Sequence, residues 1–299
     1  MSKTIWTACL LLTLSTGAQA QPETTQPATP ADAKAGEKPT VEAIVNHANY
    51  VSYYQGDDGR ADVTMTIVDE QGMKRTREMT ILRSDAQADQ ADKTATDKLG
   101  DQRYYVYFRR PNDMDKTSFL VWKTVEPGKD DDRWMYLPSL DLVRRISSSD
   151  KRTSFVGSDY FYEDVSGRNP TDDSHELLAD KSKGKFWVLK STPKDPKSAE
   201  FAYYITYIHK ETWMPIQTEY YDKDNVKYRF YQVLDAFVYD DKNPDASKRR
   251  PTIRRSRMTD LKTKGYTELN YSNVKYDVKL GKDIFEQRYL RQPPTEWLK

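Results

Sequence analysis

Residues 62–83 read DVTMTIVDEQGMKRTREMTILR and contain the pattern that decides the fold. In the first half, polar residues alternate with three apolar ones, Val63, Met65 and Ile67. A period of two is typical of a β-strand with one buried face. Residues 69–72 have the composition of a turn, and an apolar-polar strand returns after them. The stretch therefore predicts an antiparallel hairpin with one face turned towards a core or a cavity.

Further strand patterns follow the hairpin in close succession. The candidates are residues 104–108, 117–125, 133–137, 186–191, 201–209, 216–222, 228–237, 252–261, 266–270 and 274–277. Short turns rich in Asp, Asn, Gly, Lys or Pro join them, which predicts a mainly β protein built on one large antiparallel meander. A sheet of this size curls into a barrel or half-barrel, and its concave face must be filled. A helix predicted from Thr40 onward, with apolar residues at helical spacing, is a candidate for that role.

The chain divides into three regions by composition. Residues 1–20 carry one charge, an apolar run and Ala18-Gln19-Ala20, which predicts a signal peptide cleaved after Ala20. Residues 21–39 contain four prolines and little that is apolar, so we expect a disordered tether. Residues 40–299 are predicted to form a single domain. Within it, residues 85–102 read as a polar surface insertion that could be helical, and residues 240–251 as a long loop.

Charge and cysteine usage exclude several functional classes. Without Lys3, the 47 basic residues become 46 and equal the 46 acidic ones, so long-range attraction to nucleic acid is not indicated. The only cysteine, Cys9, lies in the predicted signal peptide, which leaves no disulfide, thiol nucleophile or thiolate metal site afterwards. No later stretch is apolar enough to span a bilayer. The 21 tyrosines suit a sheet surface or the wall of a cavity for amphiphiles.

Residues 153–165, TSFVGSDYFYEDV, are the one cluster with the composition of a catalytic site. A hydrolase could use Asp159, Glu163 and Asp164. The cluster lacks the second glycine of a nucleophile elbow, and the three histidines of the chain are far apart, so we predict no catalytic residues, metal site or cofactor. We favour a short helix capped by Ser158 or Asp159, with the acids in its first turns.

A basic pair precedes this cluster and offers a partner for its acids. Arg144 and Arg145 lie within about one loop of Asp159 and Asp164. A charge-assisted hydrogen bond between an arginine and an aspartate would fix the cluster as a loop at the mouth of the curved sheet. If the same side chains form only exposed ion pairs, they contribute little.

The segments RWMYLPSLDLVRRI and SFVGSDYFYEDV together resemble the outer membrane lipoprotein-sorting family, the LolA-like periplasmic carriers, in its larger branch. The matching residues are Trp134, Tyr136, Pro138, Arg145, Ile146, Ser154, Phe155, Gly157, Ser158, Asp159, Tyr160, Tyr162, Glu163 and Asp164. The resemblance covers about residues 40–290. It implies an unclosed half-barrel with a helical lid over an apolar cavity, and a carrier rather than an enzyme.

The resemblance also implies a ligand and a partner. The ligand would be the acyl chains of a lipoprotein or another lipid, and the protein would help to move it towards the outer membrane. An inner-membrane exporter of the RND type is a possible partner. A sensor or accessory subunit of such an exporter is an alternative, and the hydrolase remains a remote one. We expect a monomer in the periplasm.

One face of the better strands should line the cavity. We predict Val63, Met65, Ile67, Tyr105, Tyr107, Phe119, Val121, Trp134, Tyr136, Trp187, Leu189, Tyr203 and Ile205. A register error of one residue would turn a strand's whole set to the other face. The predicted lid and loop motif comprises Arg144, Arg145, Phe155, Gly157, Ser158, Asp159, Tyr160, Tyr162, Glu163 and Asp164.

Overall fold

The computed structural model describes residues 38–86, 99–245 and 248–298. The predicted signal peptide, nearly all of the predicted tether and the middle of the 85–102 insertion lie outside these residues. Thirteen strands form one antiparallel sheet that does not close into a barrel, which confirms the predicted mainly β fold. They are β1 Asp58–Val68, β2 Lys74–Asp85, β3 Gln102–Arg110, β4 Ser118–Lys123, β5 Asp132–Leu137, β6 Leu142–Ile146, β7 Asp173–Leu177, β8 Phe186–Pro193, β9 Tyr203–His209, β10 Pro215–Tyr221, β11 Lys227–Tyr239, β12 Arg250–Asp260 and β13 Tyr266–Tyr276.

The sheet consists of two meanders joined in its middle. Its strand order is β6-β5-β4-β3-β2-β1-β13-β12-β11-β10-β9-β8-β7. Every neighbouring pair is consecutive in the chain except β1 and β13, whose register places Val63 opposite Tyr271 and Met65 opposite Leu269. The edge strands β6 and β7 were not predicted, because LVRRI and DSHEL are too polar to show a buried face. The last two predicted strands are a single strand, β13.

Two helices lie on one face of the sheet, which we call the inner face. Helix α1 spans Val41–Tyr53 and begins as predicted, since the side chain of Thr40 accepts a hydrogen bond from the backbone N–H of Ala43. Its buried side packs against β8 and β9, where Ile44 and Ala48 contact Leu189 and Ile208. Helix α2 is a short segment, Tyr162–Ser166, between β6 and β7. Together they place helical structure over the concave side of the sheet.

The C-terminal segment, residues 277–298, covers the opposite, outer face of β2 to β5. It contributes Ile284, Phe285 and Leu290 to a core that also contains Tyr105 and Leu120. Side chains from the sheet bond its backbone, since Trp122 Nε1 donates to the carbonyl of Phe285 at 2.8 Å and Tyr105 donates to that of Tyr289 at 2.7 Å. This half of the sheet is therefore buried on both faces.

The start of the C-terminal segment is held by one carboxylate. Asp58, at the beginning of β1, accepts hydrogen bonds from the backbone N–H groups of Val278 and Leu280, each at 2.6 Å. Because Asp58 is buried, these bonds are shielded from water, and they fix the direction in which the chain leaves β13.

Candidate functional site

A cavity of about 450 Å³ lies between the inner face of the sheet, helix α1 and residues 153–168. Strands from both meanders contribute to its wall, as do the two helices. The side chains that dominate the lining are Val45, Ala48, Tyr53, Val63, Met65, Met79, Ile81, Tyr104, Val106, Leu189, Tyr204, Tyr220, Tyr231, Ile253, Met258, Leu269 and Tyr271. The volume is in the range of sites that hold a small amphiphile or part of a lipid chain.

Tyrosines give this wall a mixed character. Burial raises the pKa of Tyr271 to about 12, and it also raises the pKa of Tyr204 and Tyr231. These side chains are therefore neutral at physiological pH and present apolar rings with hydroxyl tips. Some tips are already bonded: Tyr204 donates to Asp173 at 2.8 Å, and Tyr160 lies 3.2 Å from Ser256 Oγ. An apolar ligand can therefore pack against the rings while these hydroxyl groups keep their hydrogen-bond partners in the protein.

The structure distributes the thirteen predicted cavity residues over both faces. Those on the inner face are Val63, Met65, Ile67, Phe119, Val121, Trp187 and Leu189, of which Val63, Met65 and Leu189 line the cavity. Phe119 and Val121 are packed into the inner core beside it.

The other six face outward. Tyr105, Tyr107, Trp134 and Tyr136 pack against the C-terminal segment, and Tyr203 and Ile205 lie on the outer face of β9. On β3 and β9 it is the neighbours Tyr104, Val106, Tyr204 and Thr206 that line the cavity. On these two strands the residues that face the cavity are therefore the neighbours of the predicted ones. On β3 the reason is that both faces are buried, so the alternation of apolar and polar residues does not distinguish them.

The motif segment, residues 153–165, lies on the inner face of the sheet and is stabilised by hydrogen bonds between its own residues. The Ser158 hydroxyl donates to the carbonyl of Phe155 at 2.7 Å, and Ser154 donates to that of Ser158 at 2.6 Å. Gly157 adopts φ +77°, a backbone conformation that favours glycine. Phe155 packs on Phe119 with ring centroids 5.4 Å apart, which places the segment in the core.

The cap of the short helix differs from the prediction. Helix α2 begins at Tyr162, and the backbone N–H of Phe161 donates to Asp164 Oδ2 at 2.7 Å. Neither Ser158 nor Asp159 caps it. Asp159 bonds instead to the Thr267 hydroxyl of β13 at 2.6 Å. The acids Glu163 and Asp164 do lie in the first turn, as expected from the helix dipole.

The partner of the motif acids is Arg229 on β11, not the basic pair upstream. Arg144 pairs with Asp150 at 3.1 Å and Arg145 pairs with Asp132, and both arginines are exposed. Arg229 donates to Asp164 and, at 2.8 Å, to the carbonyl of Asp159. The prediction that Arg144 or Arg145 bonds Asp159 or Asp164 is therefore wrong, and the arginine comes instead from the other meander.

Aromatic rings enclose Arg229 as well. Its guanidinium carbon lies 3.8 Å from the ring centre of Phe161 and 5.2 Å from that of Tyr220. Burial alone would lower the pKa of Arg229, but the carboxylate of Asp164 outweighs it and raises the pKa. No sequence signal singles out this residue, since an inward arginine within a strand pattern looks like any other polar position.

Buried charges occupy the end of the cavity beside α2. Glu163 lies 3.6 Å from both Lys151 Nζ and Arg168 Nη1, while burial raises the pKa of its carboxyl. Arg168 also binds Asp173 with two nitrogens. The acids that a hydrolase would need are thus engaged in ion pairs and hydrogen bonds that connect the motif segment to the sheet.

One histidine lines the cavity. His175 on β7 lies 2.8 Å from Ser191 Oγ through Nδ1 and 2.9 Å from the carbonyl of Pro170 through Nε2. These contacts tie the edge strand to β8 and to the turn before it.

Across residues 38–86, 99–245 and 248–298, no three His, Cys, Asp or Glu side chains are grouped closely enough to hold a metal ion. Neither helix in those ranges has the length and apolarity to cross a membrane.

A family model described as that of an uncharacterized protein matches residues 100–292, well over half of the sequence. The chain belongs to this family. None of the curated proteins matches it. The matched region includes β3 to β13, the motif segment and most of the cavity wall. The match begins after β1 and β2, so it covers the second meander and β3 to β6 of the first.

Three solved structures share the fold. A DUF1329 family protein from Desulfovibrio piger is 25% identical, with a TM-score of 0.70 over 84% of this chain and 98% of its own. A domain described as an outer membrane lipoprotein-sorting protein, from Vibrio parahaemolyticus, is 24% identical, with a TM-score of 0.69 over 83% and 97%. A LolA superfamily protein from Nitrosomonas europaea is 17% identical, with a TM-score of 0.61 over 84% and 100%. The family is thus LolA-like in fold, and the resemblance drawn from the motifs is confirmed.

Proposed function

We propose that this protein is a periplasmic carrier that binds acyl chains in its cavity and delivers them towards the outer membrane. The observation that carries the proposal is the cavity itself, which is lined by methionine, aliphatic and neutral tyrosine side chains on the concave face of an unclosed sheet. An acyl chain offers a large apolar surface and few polar demands. Burying about a dozen methylenes gives a gross gain on the order of 10 kcal/mol, at about 0.8 kcal/mol each.

The location and the partner are part of the proposal. The signal-like residues 1–20 and the lipoprotein-sorting likeness of the fold favour the periplasm. The cargo would be an acylated lipoprotein or another lipid, received from an inner-membrane exporter of the RND type. Binding without catalysis is favoured because the acids of the motif segment are engaged in ion pairs and hydrogen bonds that hold this segment in place.

The decisive experiment is lipid extraction and mass spectrometry of protein purified from the periplasm. A co-purifying acylated species at near-stoichiometric amount is the expected result. Transfer of a labelled lipid from donor to acceptor vesicles then separates a carrier from a sensor, because a sensor would bind the lipid without delivering it.

A pair of matched variants links the lipid to the cavity. Ile81→Trp introduces a larger side chain into the cavity wall, whereas Tyr207→Trp places the same indole on the outer face of β9. We expect the first variant to lose most bound lipid and the second to keep it, with both folded by circular dichroism. Protein that is free of lipid in every preparation, or equal lipid in both variants, would rule the proposal out.

A further inference from the structure

Exposed apolar side chains are concentrated at one end of the sheet. In the described part of the chain, six large apolar residues are exposed: Met73, Leu140, Leu142, Val226, Val238 and Leu261. Following the antiparallel pairing from β6 to β10 brings the turns that carry five of them to the same end. Val238 alone lies at the other end, opposite Pro251. We call Met73, Leu140, Leu142, Val226 and Leu261 the apolar rim.

Two of the turns that form the rim are built alike. In each, an aspartate opens the turn and its carboxylate accepts the backbone N–H of the apolar residue four positions on: Asp69 from Met73 at 2.9 Å, and Asp222 from Val226 at 3.0 Å. The residue just before each apolar tip has a positive φ. The tip therefore projects outward with its N–H already bonded, which lowers the cost of moving it out of water.

The turn between β12 and β13 also satisfies its backbone N–H groups with hydrogen bonds. Asp260 accepts the backbone N–H groups of Lys262 and Thr263 at 2.7 and 3.0 Å, and the N–H of Leu261 donates to the carbonyl of Tyr228 at 2.8 Å. Three separate turns thus present an apolar side chain whose own backbone N–H is already hydrogen-bonded. The carboxylates of Asp69, Asp222 and Asp260 each accept hydrogen bonds from the backbone of their own turn.

Basic side chains flank the apolar tips. The exposed ones are Lys74, Arg75, Lys223, Lys227, Lys262 and Lys264. Glu70 pairs with Lys264 at 2.8 Å, Glu219 pairs with Lys227 at 3.2 Å, and Asp222 lies 3.8 Å from Lys262, so half of this charge is balanced. The lysines and arginines are long enough to reach an anionic surface while the apolar tips enter it.

We propose that the apolar rim docks on the surface of an anionic lipid bilayer. Its members lie on four turns between β6 and β10, nine strand spacings of about 4.8 Å and so about 43 Å along the sheet. Single apolar anchors that are spread this widely, with basic residues between them, fit a laterally continuous surface better than a groove on one protein. The motif segment reaches the same end of the sheet through the bond between Asp159 and Thr267.

This docking does not depend on what the cavity binds. It is tested with vesicles of phosphatidylethanolamine and phosphatidylglycerol, by co-sedimentation at low and high salt. The full chain and the chain from Gln21 are compared in parallel, because the apolar run before residue 15 could itself bind lipid. The triple variant Met73→Ser/Val226→Ser/Leu261→Ser should bind about 8- to 125-fold more weakly, at about two- to fivefold for each tip. The matched control Val238→Ser should bind like the wild type.

An environment-sensitive dye reports the orientation. In a Cys9→Ala background, a dye on Val226→Cys should shift to the blue with vesicles, whereas the dye on Val238→Cys should not. Salt should weaken binding, and neutral phosphatidylcholine vesicles should bind less. Equal binding of the triple variant and the control, or equal dye responses at both ends, would overturn the proposal. So would binding to native membrane vesicles without binding to protein-free ones, a result that would assign the rim to a protein partner.

Discussion

Removing Arg229 should weaken the attachment of the motif segment to the sheet more than removing any exposed ion pair would. The side chain is 4% exposed and is the only link from β11 to both Asp164 and the carbonyl of Asp159 in the described contacts. We consider Arg229→Met, which keeps much of the side-chain length and apolar area. The variant leaves Asp164 with the backbone N–H of Phe161 and removes the cation from between Phe161 and Tyr220.

The expected cost follows from burial. Removing one partner of a buried ion pair costs about 3–5 kcal/mol, whereas exposed pairs contribute about 0–1 kcal/mol. Asp164 is 22% exposed and can be partly hydrated, so Arg229→Met should cost about 3 kcal/mol. Asp164→Asn should cost slightly more, about 4 kcal/mol, because it leaves the buried guanidinium without an anion and weakens the start of α2.

Urea unfolding of the two single variants and the double variant completes a cycle. The double variant should cost less than the sum, with an interaction energy of about 1–3 kcal/mol. Arg254→Met is the matched control, since its pair with Asp235 is about half exposed on the same sheet, and it should cost below about 1 kcal/mol. Strict additivity of the two single variants, or a cost of Arg229→Met no larger than that of Arg254→Met, would refute the reasoning.

Three further predictions concern other parts of the fold. Gly167→Ala should destabilise by about 2 kcal/mol or more in urea, because φ is +75° and the added Cβ would lie 2.3 Å from the ring of Tyr53; wild-type stability would contradict this. Burial lowers the pKa of Lys123 to about 8, against 10.5 in the unfolded chain, so between these values the unfolded chain binds the extra proton. The unfolding free energy of the wild type relative to Lys123→Met should therefore rise with pH across that window, on the order of 1 kcal/mol per pH unit, and a flat difference would disprove it. Asp58→Ala should release residues 277–298 to limited proteolysis, whereas an unchanged digest would show that the packed side chains suffice.

Much of the fold could be predicted because its strands have a strong period. The hairpin of β1 and β2 has one apolar inner face, so alternation places Val63 and Met65 on the cavity side, where they lie. On β3 the same reasoning failed, since Tyr104 and Tyr105 are both buried, one towards the cavity and one under the C-terminal segment. Alternation locates a buried face only when the other face is wet.

The charged contacts of the site were harder to predict than the strands. The acids of the motif segment predict an arginine partner, but Arg229, the arginine that bonds Asp164, lies 65 positions further along the chain. Nearness in sequence favoured Arg144 and Arg145, which instead form exposed pairs. Arg229 reaches Asp164 only because the two meanders curve towards each other around the cavity. That curvature is a property of the assembled sheet and has no local signature.

The pairing of β1 with β13 has a consequence for how the chain folds. β1 is synthesised first among the strands and β13 last, so β1 keeps one hydrogen-bonding edge free until about 200 later residues have been made. Each meander can form from neighbouring strands, but the two meanders become one sheet only with this final, distant pairing. Until then the open edge of β1 can pair with another chain. Truncation just before β13 should therefore produce association between copies and not a stable half-sheet.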